Sequence, residues 1–206
     1  MTMQALLRSR WAKPAVWVLC LAPLGLLGWE ALHDELTANP IEYLTHETGA
    51  WALRFLLITL AITPARKLLG LLDLIRFRRL LGLFAFFYAL LHFSIWMCLD
   101  KYFDFHEMIA DVLKRRFITV GMLALLLLIA LAVTSTNGMI RRMGGRNWQR
   151  LHRSIYAIGC LGVIHYYWLV KSDIRRPVTY GVILVVLLGL RLIKKKRQPV
   201  PVAVRA

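Results

Sequence analysis

The sequence predicts an all-α integral membrane bundle of about six transmembrane helices, with both termini in the cytoplasm. Three observations carry that reading. The 206 residues are 59% hydrophobic, with a mean hydropathy of +0.58. Apolar runs of about 20 residues, long enough to cross a hydrocarbon core of about 30 Å, recur along the whole chain. The formal net charge of +16 is unevenly placed, because Lys and Arg gather in alternate connections between the runs, as cytoplasmic loops of membrane proteins do. A pI near 10.5 would suggest nucleic acid in a soluble protein. Here topology explains the basicity, and no nucleic-acid binding is expected.

Six segments follow from hydropathy. The first, 15–32, comes after Arg8, Arg10 and Lys13 and runs into Gly28-Trp29-Glu30. It lacks the small residues a cleavage site needs there, so it reads as a retained anchor rather than a signal peptide. The second, 51–69, descends to Arg66 and Lys67, and the third, 80–99, rises after Arg78 and Arg79. The fourth, 117–136, leads into the basic loop 137–150. The fifth, 152–170, rises from Arg150, and the sixth, 178–193, descends to Lys194, Lys195, Lys196 and Arg197. This path puts nineteen Lys and Arg on the side of the termini and eight on the other. The outer loops hold most of the acids, among them Glu42, Glu47, Asp100, Asp104, Glu107 and Asp111. Residues 1–206 read as a single domain, with a short basic tail after about 194.

The candidate chemistry lies in the histidines. His92 stands thirteen residues above Arg79, and His165 fifteen above Arg150. At about 1.5 Å per residue, both imidazoles lie roughly 20 Å from the cytoplasmic edge, on different helices. Two facing imidazoles at one depth make an axial pair for haem iron. The alternative is that each hydrogen-bonds a neighbouring helix. The segment interiors lack the acids that proton-coupled transport would use. Aromatic residues in "FFYALLHF" and "HYYW" suit either a porphyrin wall or ordinary packing. Cys20, Cys98 and Cys160 form no C-x-x-C and no C-x-x-C-H, so they read as packing residues.

His152 begins the fifth segment beside Arg150 and Arg153. On one continuous helix it would stand roughly 20 Å below His165 and be turned about 140° from it. A second bis-histidine site would need a partner on the third segment at the level of Arg78 and Arg79. Arginine is no ordinary axial ligand, but it suits a haem propionate or a flavin phosphate. His152 therefore reads equally as a weak ligand or as a solvated interfacial residue. The loop "NGMIRRMGGRNWQR" (137–150) has the donors and glycine turn for a phosphate, or is simply a positive-inside loop. His33, His46 and His106 read as surface residues.

The runs "RFRRLLGLFAFFYALLH" (76–92), "LAVTST" (131–136) and "WQRLHRSIYAIGCLGVIHYYW" (148–168) resemble the ferric-reductase-like transmembrane family. Within it they resemble the haem-binding membrane subunits of bacterial methionine sulfoxide reductase systems; "ITPAR" (62–66) does so too. The likeness covers about residues 10–195. It implies a multi-pass protein of the bacterial inner membrane carrying haem b, with His92, His165 and His152 as candidate ligands. It also implies electron delivery to a periplasmic molybdopterin subunit, on which methionine sulfoxide in oxidised proteins is reduced. The donor would be the quinone pool or a cytosolic flavin reductase, and FMN is associated with the family. The oxidases and ferric reductases of the wider superfamily carry two stacked haems and a C-terminal flavin and nicotinamide domain. This chain lacks the inner histidine on the third segment, and it stops soon after the sixth, so it reads as an electron relay with no catalytic residues of its own. A cytochrome b serving another acceptor such as ferric iron, or a non-redox transporter or assembly protein, are the alternatives.

Overall fold

The computed structural model describes residues 3–192, and the apolar runs of the sequence are its long helices. The basic tail, with Lys194, Lys195, Lys196, Arg197 and Arg205, lies outside the described residues. After a short helix α1 (Met3–Arg8), helix α2 (Ala12–Leu32) carries Pro23 in its interior. Beside that proline, the ring of Tyr88 is inserted into the backbone ladder. Its hydroxyl accepts the N–H of Leu24 at 3.1 Å and donates to the carbonyl of Cys20 at 2.9 Å. These two backbone groups would otherwise pair with each other across one helical turn.

Helix α3 (Pro40–Leu69) begins eleven residues before the boundary expected from hydropathy. The stretch "PIEYLTHETGA" reads as a polar loop, yet Asn39 caps it by accepting the N–H of Glu42 at 3.3 Å, and Pro40 stands in the first turn. Glu42 accepts from the Asn39 amide at 2.9 Å, and Glu47 pairs with Arg54 at 3.5 Å and with Arg176 at 3.6 Å. Gly70, at φ 69°, ends the helix in the left-handed conformation. A 3-10 turn (Leu72–Phe77) leads into α4 (Arg78–Ile95), which closes in a π turn (Trp96–Asp100). Tyr102 and Phe103, at φ 47° and 61°, then reverse the chain into α5 (Phe105–Lys114), capped by Asp104. Lys101 and Asp111, both buried, pair at 2.8 Å beneath α5, and Lys101 also donates to Glu107.

Helix α6 (Arg116–Val133) descends to two short basic helices, α7 (Asn137–Met143) and α8 (Gly145–His152). The expected glycine-rich phosphate loop is thus helical on both sides of Gly144. His152 is the last residue of α8, not the first turn of the fifth segment. The chain bends at Arg153 and Ser154 before α9 (Ile155–Leu169) starts. The continuous helix from His152 to His165 is therefore absent. Gly159 and Gly162 of α9 admit neighbours: an added Cβ would meet Leu184 at 3.1 Å and Leu53 at 3.3 Å. Helix α10 (Arg175–Leu192) completes the bundle.

Among the described residues, four stretches are long and apolar enough to cross a membrane: α2, α3, α4 with its flanking turns, and α6. Helix α9 is shorter at 15 residues, and α10 carries Arg175, Arg176 and Arg191, but both pack within the same bundle. Helix α3 is central, with 56% of its apolar stretch buried inside the protein against 17–22% for the other three. The core gathers around Leu60 of α3, Phe84 and Tyr88 of α4, Ile158 of α9 and Leu184 of α10. Exposed apolar residues such as Val18, Leu126 and Val185 face outward, as lipid-facing positions do.

Candidate functional site

Helices α4 and α9 bring His92 and His165 together. Their ring centroids are 6.1 Å apart and their planes are inclined at 82°. Each ring is held from behind by a neighbouring helix. His92 Nδ1 lies 2.8 Å from the carbonyl oxygen of Thr45 on α3, and His165 Nδ1 lies 2.7 Å from that of Phe117 on α6. A carbonyl can only accept, so each Nδ1 carries the hydrogen and each Nε2 keeps its lone pair. This is the tautomer a metal-ligating imidazole needs, fixed by the same kind of outer contact that orients metal-bound histidines elsewhere.

The two holders share one construction. Gly49 is four residues after Thr45, and Gly121 is four residues after Phe117. In an α-helix the carbonyl of residue i points at residue i+4. A glycine there leaves the second lone pair of the carbonyl open to an incoming ring. An added Cβ at Gly49 would stand 3.0 Å from His92 Nδ1, and one at Gly121 only 2.7 Å from His165 Nδ1. Sequence reasoning missed both glycines. The available signal was the small residue one turn beyond an exposed carbonyl, and it acquires meaning only once the facing helix is known.

Both histidines line one cavity of about 560 Å³, within the range of about 300–1,000 Å³ typical of cofactor pockets. Phe93, Trp96, Phe117 and Tyr166 add aromatic wall, so part of the "HYYW" run does face it, whereas Tyr167 and Trp168 point outward. The outer end is lined by Asp100, Tyr102, Arg115 and His46. His46, read from sequence as a surface residue, is exposed and also borders this cavity.

These residues fit a haem. A metal–imidazole bond is about 2 Å, and a ring centroid lies roughly 1 Å behind its nitrogen, so two rings on one iron stand about 6 Å apart. That matches the observed separation. The donor set, two neutral imidazoles in an apolar and aromatic cavity, is that of a six-coordinate haem.

His152 lies elsewhere. Its Nε2 is 3.0 Å from Thr134 Oγ1, and Trp148 stacks on its ring with centroids 4.0 Å apart. Trp148 Nε1 donates to the Thr134 carbonyl at 2.8 Å. The Thr134 hydroxyl sends its hydrogen to Ala130 at 2.7 Å, so it accepts from His152, and Nε2 carries a hydrogen. His152 thus ties α8 to the end of α6 and is not among the residues lining the cavity. Arg78 begins α4 and is half-buried. Arg79 is exposed and donates to Asn137 at 3.3 Å. The two arginines, taken together in the sequence as one anion contact, point to different surroundings.

The family described as ferric reductase like transmembrane component matches residues 48–163. Among curated proteins, one from Herminiimonas arsenicoxydans is 52% identical over 182 residues, covering 87% of this chain and 84% of its own. One from Caulobacter vibrioides is also 52% identical, over 88% of this chain and 87% of its own. One from Xanthomonas euvesicatoria is 53% identical over 190 residues, 89% of this chain and 87% of its own. All three are described as the heme-binding subunit MsrQ of a protein-methionine-sulfoxide reductase. The matched span runs from the end of the Thr45–Gly49 clasp almost to His165. With likeness of this extent, the chain belongs to the ferric-reductase-like transmembrane family and, within it, to the MsrQ heme-binding subunits.

Proposed function

We propose that the protein is the haem b electron-transfer subunit of a methionine sulfoxide reductase, passing electrons from the cytoplasmic side of the membrane to a periplasmic partner. The observation that carries this reading is the pair His92 and His165, fixed as Nδ1–H tautomers 6.1 Å apart across one cavity. A haem bound between them supplies a one-electron carrier inside the membrane. The chain's own residues do the rest. The carbonyls of Thr45 and Phe117 hold the imidazoles in orientation, and hydrogen bonding to them makes each Nε2 more basic. Phe93, Trp96 and Tyr166 keep the cavity apolar and limit water.

The cavity reaches the outer loops through Tyr102 and Arg115, which is where a periplasmic partner would approach. That partner is proposed to be a molybdopterin reductase subunit, on which methionine sulfoxide in oxidised proteins is reduced. The proposed donor is the quinone pool or a cytosolic flavin reductase. The test is a dithionite-reduced minus oxidised spectrum of the purified protein. Sharp b-type bands are expected, lost together in His92→Ala and His165→Ala. A colourless protein after expression with ample haem would overturn the reading.

A further inference from the structure

The cavity that holds His92 and His165 is polar at one end only. Toward the cytoplasm, Leu56 of α3, Leu125 and Leu128 of α6 and Ile158 of α9 close it with buried apolar side chains. Ile158 comes seven residues before His165, about 10 Å deeper along α9. At the opposite end the wall carries Asn39, Glu42, His46, Asp100, Tyr102 and Arg115.

Among the described residues, Arg115 is the one arginine or lysine that lines this cavity. It stands just before α6, two residues ahead of Phe117, whose carbonyl holds His165. Its Nε pairs with Asp111 Oδ1 at 3.1 Å, and Asp111 is itself buried and paired with Lys101 at 2.8 Å. One edge of the guanidinium is thereby fixed. Its two Nη groups make no hydrogen bond or ion pair among the described residues. The other carboxylates at this end are already engaged. Asp100 lies 3.8 Å from Lys101 Nζ, and Glu42 accepts from the Asn39 amide at 2.9 Å.

A b-type haem has one edge bearing two propionates and an opposite edge of methyl and vinyl groups. Propionates turned toward Leu128 and Ile158 would be buried without partners, which is costly for charged groups. Turned outward, they meet water and a guanidinium, whose fork of donors matches a carboxylate.

We propose that Arg115 anchors a haem propionate at the outer mouth of the cavity, so that the carboxylate edge of the haem faces the periplasm. The proposal rests on the haem reading of His92 and His165 and adds the direction in which the haem lies. Asp111 acts through Arg115, by aiming it. Arg78 and Arg79, the arginines that the sequence offered for a propionate, do not line the cavity.

The experiment titrates full-length protein, purified in neutral detergent from haem-limited cells, with protohaem and with protohaem dimethyl ester, in which both carboxylates are blocked. Affinity is read from the Soret absorption, and the readout is the ratio of the two affinities. Wild type is expected to bind protohaem about tenfold more tightly than the ester, the equivalent of one charge-assisted hydrogen bond. In Arg115→Gln the ratio should fall to about threefold or less, with Arg115→Lys between the two. Arg116→Gln, at an exposed residue outside the cavity, should keep the wild-type ratio. General damage to the fold weakens both pigments together, so the ratio isolates the propionate contact. Equal affinity of the wild type for the two pigments would overturn the proposal, as would an undiminished ratio in Arg115→Gln. A wild type that bound neither pigment would strike down the haem reading itself, and this proposal with it.

Discussion

A methyl group at Gly121 would stand 2.7 Å from Nδ1 of His165, closer than a carbon can approach a ring nitrogen. The imidazole and the glycine therefore define each other. His165 reaches the Phe117 carbonyl because residue 121 has no side chain. Gly121→Ala should expel the ring from its hydrogen bond and lower haem affinity about tenfold or more, the usual cost of losing an outer contact to a metal ligand. Gly49→Ala, with 3.0 Å to His92, should act in the same direction and less strongly. Haem-to-protein ratios across a haem titration check both, and wild-type affinity in Gly121→Ala would remove the clasp from the account.

The three membrane-edge and membrane histidines should separate cleanly. His92→Ala and His165→Ala are expected to abolish most haem binding while the protein stays in the membrane. His152→Ala should retain most of it, because His152 is engaged by Thr134 and Trp148 outside the cavity. Pigment and iron analysis of the three variants decides this. Loss of half the iron in His152→Ala would reveal a second haem site.

Tyr88→Phe removes the hydroxyl that bridges Leu24 and Cys20. The bridge joins the edge contact of Trp17 with Phe84, 4.9 Å between ring centroids, in attaching α2 to α4. Without the hydroxyl the Leu24 N–H and the Cys20 carbonyl stay unmatched in the opened turn, at a cost of about 1–3 kcal/mol, or close on each other by shifting α2 against α4. The measurement is the midpoint of thermal or detergent-induced unfolding, together with cross-linking of a cysteine pair placed across α2 and α4. An unchanged midpoint with unchanged cross-linking would contradict the structure at this point.

The outer helix α5 should loosen at alkaline pH. Lys101 is held above its ordinary value of 10.5, first by Asp111 and then by Glu107. A cation whose folded pKa is raised contributes stability that is complete below the unfolded value and lost as pH rises through the folded one. A spin label at the exposed Leu113 should therefore report constant mobility from about pH 7 to 9 and rising mobility only above about 10.5. Lys101→Met should show high mobility throughout. A transition centred near neutrality would rule Lys101 out as its cause.

The positive-inside asymmetry predicts that a reporter inserted near Asp104 faces the periplasm, while one fused to the C-terminus faces the cytoplasm. The cavity end at Tyr102 and Arg115 then opens towards the periplasm. A periplasmic C-terminus would reverse the proposed electron path.

The sequence by itself determined the all-α membrane class and the common depth of His92 and His165 on two different helices. These depend on residue type and spacing along single helices, which the bilayer and the 3.6-residue period fix locally. What it misplaced lies where helices meet. The polar run 40–50 hid the first third of α3, because Glu42 and Glu47 suggested a loop until Asn39, Arg54 and Arg176 supplied their partners. His152 was read on a continuous helix, although the bend at Arg153 and Ser154, with the Thr134 bond and the Trp148 ring, gives it a separate place. Only tertiary structure decided that Thr45 and Phe117 lend their carbonyls to the histidines and that Gly49 and Gly121 make room for them. A carbonyl's second lone pair and the absence of a side chain acquire a function only when another helix is packed against them.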